Sequence, residues 1–205
     1  MAKDVIIALD FPSGERALDF LKVFKDEKVY VKVGMELFYK EGPSIIREIK
    51  KLGHKIFLDL KIHDIPNTCK GATNSLIALD VDMINYHIAG GKKMLSDASE
   101  IVKKEKSDLI TLGVTMLTST DEDVMHRELQ IDKDKSLDDV VLAYANIAKE
   151  ANLSGIVCSA LEVPKIKENL GKDFITVTPG IRKVKGTDDP LKEYREIKKD
   201  FLGGK

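Results

Sequence analysis

The run FLDLKIHDIPNT, residues 57–68, places Asp59, Lys61 and Asp64 at the end of a segment that otherwise reads as a buried strand. Two carboxylates flanking an ammonium can hold one another ionised, move a proton, or stabilise charge on a bound molecule. A lone D-x-K is more often an ordinary solvated ion pair beside a loop. Here the pattern is longer, D-x-K-x-x-D-x-x-N-T, and two further polar residues occupy comparable places on other apolar runs. Asp10 closes the first, and Lys32 lies inside VYVKVG between Val31 and Val33. A lysine within such a run is costly unless paired, and Asp59 on the neighbouring strand is its natural partner. His63 and His87 have neither metal-ligand spacing nor a nucleophile beside them, so both read as hydrogen-bonded structural residues. Cys69, just past the motif, reads as a small buried filler.

The elements that must hold these residues alternate in type. Strands are expected at 5–9, 29–34, 55–61, 82–88, 109–117, 155–160 and 174–180, separated by helix-period segments. In the first of those, Ala17, Leu18, Leu21 and Phe24 share a face, and Ser13, Pro43 and Pro66 suit helix starts. Seven βα repeats point to the α/β class and to a (β/α)8 TIM-type barrel. Strand alternation would turn Asp59 and Lys61 inward at the C-terminal end of the third strand, where such barrels carry their chemistry. No GxGxxG or GxxxxGK[ST] pattern supports an open nucleotide-binding sheet. An eighth strand cannot be found, because residues 183–189 are too few for a helix and a strand. The expectation is one barrel domain over 1–205, with the eighth strand and the helix before it absent from an apparent gap at about 183–189.

The composition is that of a globular protein. Of 205 residues, 43% are apolar, and 33 basic residues stand against 34 acidic ones, which gives no sign of a nucleic-acid partner. No apolar run approaches the roughly 20 residues of a membrane-spanning helix, and the N-terminus has too short an apolar run for a signal peptide. Cys69 and Cys158 show no CxxC or zinc spacing, which favours a reduced, cytoplasmic setting.

IIALDFPS, VKVGMELFYKEGP, FLDLKIHDIPNT, HIAGG, VTMLTST, VCSALEV and TPGIR together resemble, in order, the signatures of bacterial orotidine 5′-monophosphate decarboxylases. The resemblance runs almost continuously from residue 5 to 182. It implies conversion of orotidine 5′-monophosphate to uridine 5′-monophosphate and CO2 in pyrimidine biosynthesis, without metal or organic cofactor. Loss of CO2 from C6 leaves a carbanion with no adjacent π-system, so a positioned cation and prompt protonation must stabilise it. By resemblance Lys61 is the proton donor, and Asp59, Lys32 and Asp64 complete an alternating charged array around it. Asp10, Lys32 and Thr68 would bind ribose hydroxyls, Thr118 the pyrimidine, and Ile65 would also contact substrate. Pro179 and Arg182 would begin the loop that closes over the ligand. Asp64 and Thr68 would serve the neighbouring subunit's site, implying a homodimer with shared active sites. Magnesium-dependent sugar-phosphate decarboxylases and synthases share D-x-K-x-x-D but usually carry a glutamate near the Lys32 position, so they are the alternative.

The family continues after PGIR with a glutamine-bearing loop and a Gly-Arg pair that grip the 5′-phosphate. Neither can be placed here: the sole glutamine is Gln130, and Arg195 lies in the final helical segment. Remote phosphate binding anchors substrate and drives closure, so the expectation is a severely impaired, at the limit merely ligand-binding, chain.

Overall fold

The structure, a computed structural model, describes residues 4–202. Among the described residues seven strands are present: β1 (Ile6–Ala8), β2 (Tyr30–Gly34), β3 (Lys55–Ile62), β4 (Met83–His87), β5 (Ile110–Val114), β6 (Gly155–Val157) and β7 (Ile175–Val177). They form one sheet in the order of the chain, with parallel pairing for β1–β2, β2–β3, β5–β6 and β6–β7. All seven expected strands are there, most of them shorter than their apolar runs. Past the last residue of β6, Cys158 N–H still donates to the Val177 carbonyl at 3.1 Å.

Helices fill the crossovers that parallel neighbours require. In chain order they are α1 (Gly14–Leu21), α2 (Met35–Glu41), α3 (Pro43–Lys51), α4 (Pro66–Ile77), α5 (Lys92–Glu105), α6 (Glu122–Arg127), α7 (Leu137–Glu150), α8 (Val163–Leu170) and α9 (Pro190–Leu202). Ser13 caps α1, its hydroxyl accepting from Arg16 N–H at 3.4 Å, and Pro43 and Pro66 open α3 and α4 as the sequence implies. Ser136 and Asp139 close a reciprocal capping box on α7. This is the βα succession of a TIM-type barrel less one unit: among the described residues, 183–189 hold neither helix nor strand. β7 ends the strand order, and each of its three residues is half-buried.

The chain divides into two compact units. The first runs through Leu60 and includes Ser75–Ile84 and the segment from Gly180 onward. Its core is Ile7, Val31, Val33, Leu37, Ile46, Ile56 and Leu58, each almost wholly buried. Ala17, Leu21 and Phe24 are buried and Leu18 half-buried, so the expected apolar face of α1 and the 3-10 turn Lys22–Phe24 forms. The Phe24 ring meets Tyr194 of α9 edge-on at 5.7 Å. Buried His54 accepts the Val29 N–H on Nδ1 at 3.3 Å, and burial, helped by the Lys28 charge, lowers its pKa.

The second unit comprises Lys61–Asn74 and Asn85–Pro179. Cys69, Tyr86, Ile88, Met94, Leu112, Ala145, Ala148 and Ile156 form its core. Glycine is required at Gly155, where a Cβ would collide with the Ile175 carbonyl across the β6–β7 pair.

Candidate active site

The Lys32 side chain stands between two carboxylates in the first unit. Its Nζ lies 3.3 Å from Asp10 Oδ1 and 3.5 Å from Asp59 Oδ2. The parallel register puts Lys32 opposite Phe57 and Gly34 opposite Asp59, so Lys32 and Asp59 are diagonal neighbours on adjacent strands, within reach of a long side chain. Asp59 is among the few buried charged residues, and Asp10 is open to solvent. Gly34 lies beside the cluster, where a Cβ would sit 3.4 Å from Lys32 Nζ and 3.8 Å from Asp10 Oδ1. The lysine that looked expensive inside VYVKVG is therefore paired twice, and its cation is held in place before any ligand arrives.

Lys61 departs from simple alternation. It is assigned to β3, yet its φ is +52°, a left-handed conformation that costs a non-glycine residue about 1–2 kcal/mol. A compensating bond is at hand in the second unit: Lys61 N–H donates to Asn85 Oδ1 at 2.8 Å. Asn85, on β4, is 1% exposed. Reading the sequence for ionisable groups passed over it, although an asparagine inside the apolar run MINYH carries the same signal as Lys32 inside VYVKVG.

Asp64 is exposed and folds back locally, its Oδ1 accepting Ile65 N–H at 2.7 Å. Its carbonyl accepts the Cys69 thiol at 3.3 Å. From Cys69 a buried chain continues inward: Thr73 Oγ1 bonds the Cys69 carbonyl at 2.7 Å and the Tyr86 hydroxyl at 2.9 Å. The loop that carries Asp64 is thereby tied to β4 through α4. Cys69 is the buried filler expected, with its pKa raised by burial. His63, Asp64, Ile65, Pro66, Ala89 and Gly90 surround a wide-mouthed cavity of about 540 Å3. The His63 and His87 rings face each other at 5.7 Å, tilted by 42°. Among the described residues no three His, Cys, Asp or Glu side chains gather in a way that could hold a metal ion.

Thr68 is exposed on the first turn of α4, and Thr118 lies exposed in the turn that Thr120 N–H closes on the Leu117 carbonyl at 2.9 Å. Pro179 is exposed just past β7. Arg182 is engaged by α9, donating to Asp200 at 2.8 Å and lying 3.7 Å from Glu193. Gln130 follows α6 and donates to the Arg127 carbonyl.

Residues 3–200 match the model of the "Orotidine 5'-phosphate decarboxylase / HUMPS family". A protein of Bacillus cytotoxicus called orotidine 5'-phosphate decarboxylase is 53% identical over 186 residues, 89% of this chain and 77% of that protein. Among solved structures, an orotidine 5'-phosphate decarboxylase of Lactobacillus acidophilus superposes with a TM-score of 0.88 at 37% identity, over 97% of this chain and 99% of that one. An uncharacterized conserved protein of Geobacillus kaustophilus reaches 0.90 at 41% identity, over 96% and 99%.

Proposed function

The chain belongs to the orotidine 5'-phosphate decarboxylase / HUMPS family, and we propose that the Asp10–Lys32–Asp59 cluster and Lys61 carry out its reaction. That reaction is the decarboxylation of orotidine 5′-monophosphate to uridine 5′-monophosphate in pyrimidine biosynthesis, and the protein is a carboxy-lyase. The C6–carboxylate bond breaks, CO2 leaves, and the electron pair stays on C6. The Lys61 ammonium stabilises that pair and then gives it a proton, forming the C6–H bond; solvent returns the proton to the amine. Asp59 precedes Lys61 by two residues on β3. Lys32 holds Asp59 ionised and in place, and Asp10 shares Lys32 while offering its second oxygen to the ribose. The observation that carries the reading is this ion-paired triad: fixed charges positioned without a ligand suit a reaction whose main need is electrostatic. It also disfavours the magnesium-dependent alternative, because an ammonium occupies the place where that chemistry would use a carboxylate.

Homodimerisation with shared sites is the finer part of the proposal. Asp64 and Thr68 are exposed, and the Ile65 side chain beside them is 67% exposed, as suits residues that serve a second copy's substrate. Thr118 contacts the pyrimidine in this reading, and Pro179 and Arg182 start the closing segment. A cytoplasmic location goes with it; among the described residues no helix is long and apolar enough to cross a membrane. We further infer that turnover is severely impaired, because the short 183–189 connection has no glutamine and no Gly-Arg pair.

The test is to measure uridine monophosphate formation with and without a chelator, using orotidylate and its phosphate-free nucleoside in parallel. Expected are chelator-insensitive product and an advantage for the phosphorylated substrate below about tenfold, the phosphate being weakly held. No product at stoichiometric enzyme, or loss of product on chelation, overturns the reading. A large phosphate advantage overturns the inference of impairment.

A further inference from the structure

We infer that Asn85 is a positioning residue for Lys61: through its side-chain oxygen it holds the lysine backbone in the left-handed conformation that ends β3. The inference rests on the reading of Lys61 as proton donor and adds a residue that no charge pattern would single out. Three observations converge on it. Lys61 is one of only four non-glycine residues with positive φ among those described. The other three, Asp80, Gln130 and Asn152, lie outside the strands, in turns or just past helix ends, where such a conformation is ordinary. A lysine in this state within a strand persists only if its surroundings impose it.

What imposes it is the bond from Lys61 N–H to Asn85 Oδ1 at 2.8 Å. The donor is a backbone N–H, so the accepting atom must be the amide oxygen, which fixes the orientation of the Asn85 side chain. Asn85 is 1% exposed, so its bond to Lys61 N–H is made away from solvent, where losing it is costly. The bond is made to the Lys61 backbone N–H, not to its ammonium. Rotation of φ at residue 61 redirects the Cα–Cβ bond, and with it the base of a four-carbon arm. A displacement of about 1 Å at the reacting atom is enough to cost roughly a hundredfold in rate.

The test compares Asn85→Leu, close in shape but with no acceptor, with Asn85→Asp, which keeps an acceptor oxygen at the same place. Backbone chemical shifts of Lys61 in labelled full-length protein report its conformation, and kcat and KM for orotidylate are measured on the same samples. In Asn85→Leu the Lys61 shifts should move to extended-strand values, with kcat down at least about tenfold and KM within about threefold. Asn85→Asp should keep the left-handed shifts and most of kcat. Unchanged Lys61 shifts in Asn85→Leu overturn the proposal whatever the activity, and moved shifts with undiminished kcat refute the positioning role. Absence of product from the unsubstituted chain is a failure of the decarboxylase reading instead, and the shifts then still decide whether Asn85 sets the Lys61 backbone.

Discussion

Replacing Lys32 by methionine keeps the length of the side chain and removes its charge, taking the Lys32 ion pair from Asp59. At 3.5 Å and an effective dielectric constant near 20, the attraction between Lys32 and Asp59 is about 5 kcal/mol before desolvation. Burial of the two charges offsets part of that; with side chains 24% and 12% exposed, the cost of breaking the pair should be about 2–3 kcal/mol. The Asp10 contact adds under about 1 kcal/mol, since that carboxylate is 62% exposed. Urea unfolding followed by far-ultraviolet circular dichroism should therefore show Lys32→Met destabilised by about 2–3 kcal/mol near pH 7. Adding Asp59→Asn, which removes the buried carboxylate charge while keeping its shape, should recover most of the loss. A Lys32→Met protein as stable as the unsubstituted one, or a double variant no better than the single, would refute the account of the triad.

Two further outcomes follow from buried polar groups outside the triad. The pKa of His54 is lowered in the folded state by burial and then by Lys28, so the unfolded chain binds its proton more readily. Stability from this group is complete above about pH 6.5 and is lost as pH falls toward the folded value. His54→Asn, which can still accept the Val29 N–H, should flatten the decline in urea midpoint between about pH 7 and pH 5.5; an unchanged slope would count against it. Thr73→Val removes the partner of the fully buried Tyr86 hydroxyl and should cost about 1–3 kcal/mol, most of it regained on adding Tyr86→Phe. A fully additive pair of losses would show that the Thr73–Tyr86 bond contributes nothing.

Much of the fold is legible in the sequence because parallel strands buried on both faces read as apolar runs. IFL at 56–58 and MINY at 83–86 are buried throughout, and each was found within a residue or two of its true ends. Lys32 and Asp59 could be paired in advance for the same reason: a charge within such a run has to find an opposite charge on the next strand. Two things were not legible. Alternation assumes an extended backbone, so it carried Asp59 and Lys61 onto one face and could not foresee the positive φ at Lys61. Nor could spacing show that Arg182 would pair with Asp200 and Glu193, because ion pairs between an exposed loop and a terminal helix depend on tertiary placement, not on periodicity. Asn85 was missed for a different reason. Uncharged, it left no mark on a search for acids, bases and metal ligands, although its burial makes its hydrogen bond as binding a constraint as an ion pair.

The central claim is that Lys61 delivers the proton to C6, and CO2 release from carboxyl-labelled orotidylate by Lys61→Ala tests it most directly. The assay is run at enzyme in excess over substrate, so that weak phosphate binding does not hide the chemistry, and with circular dichroism confirming an intact fold. The account predicts release by the unsubstituted chain and none measurable above background by Lys61→Ala. Release by the folded variant at a rate close to that of the unsubstituted chain would contradict it.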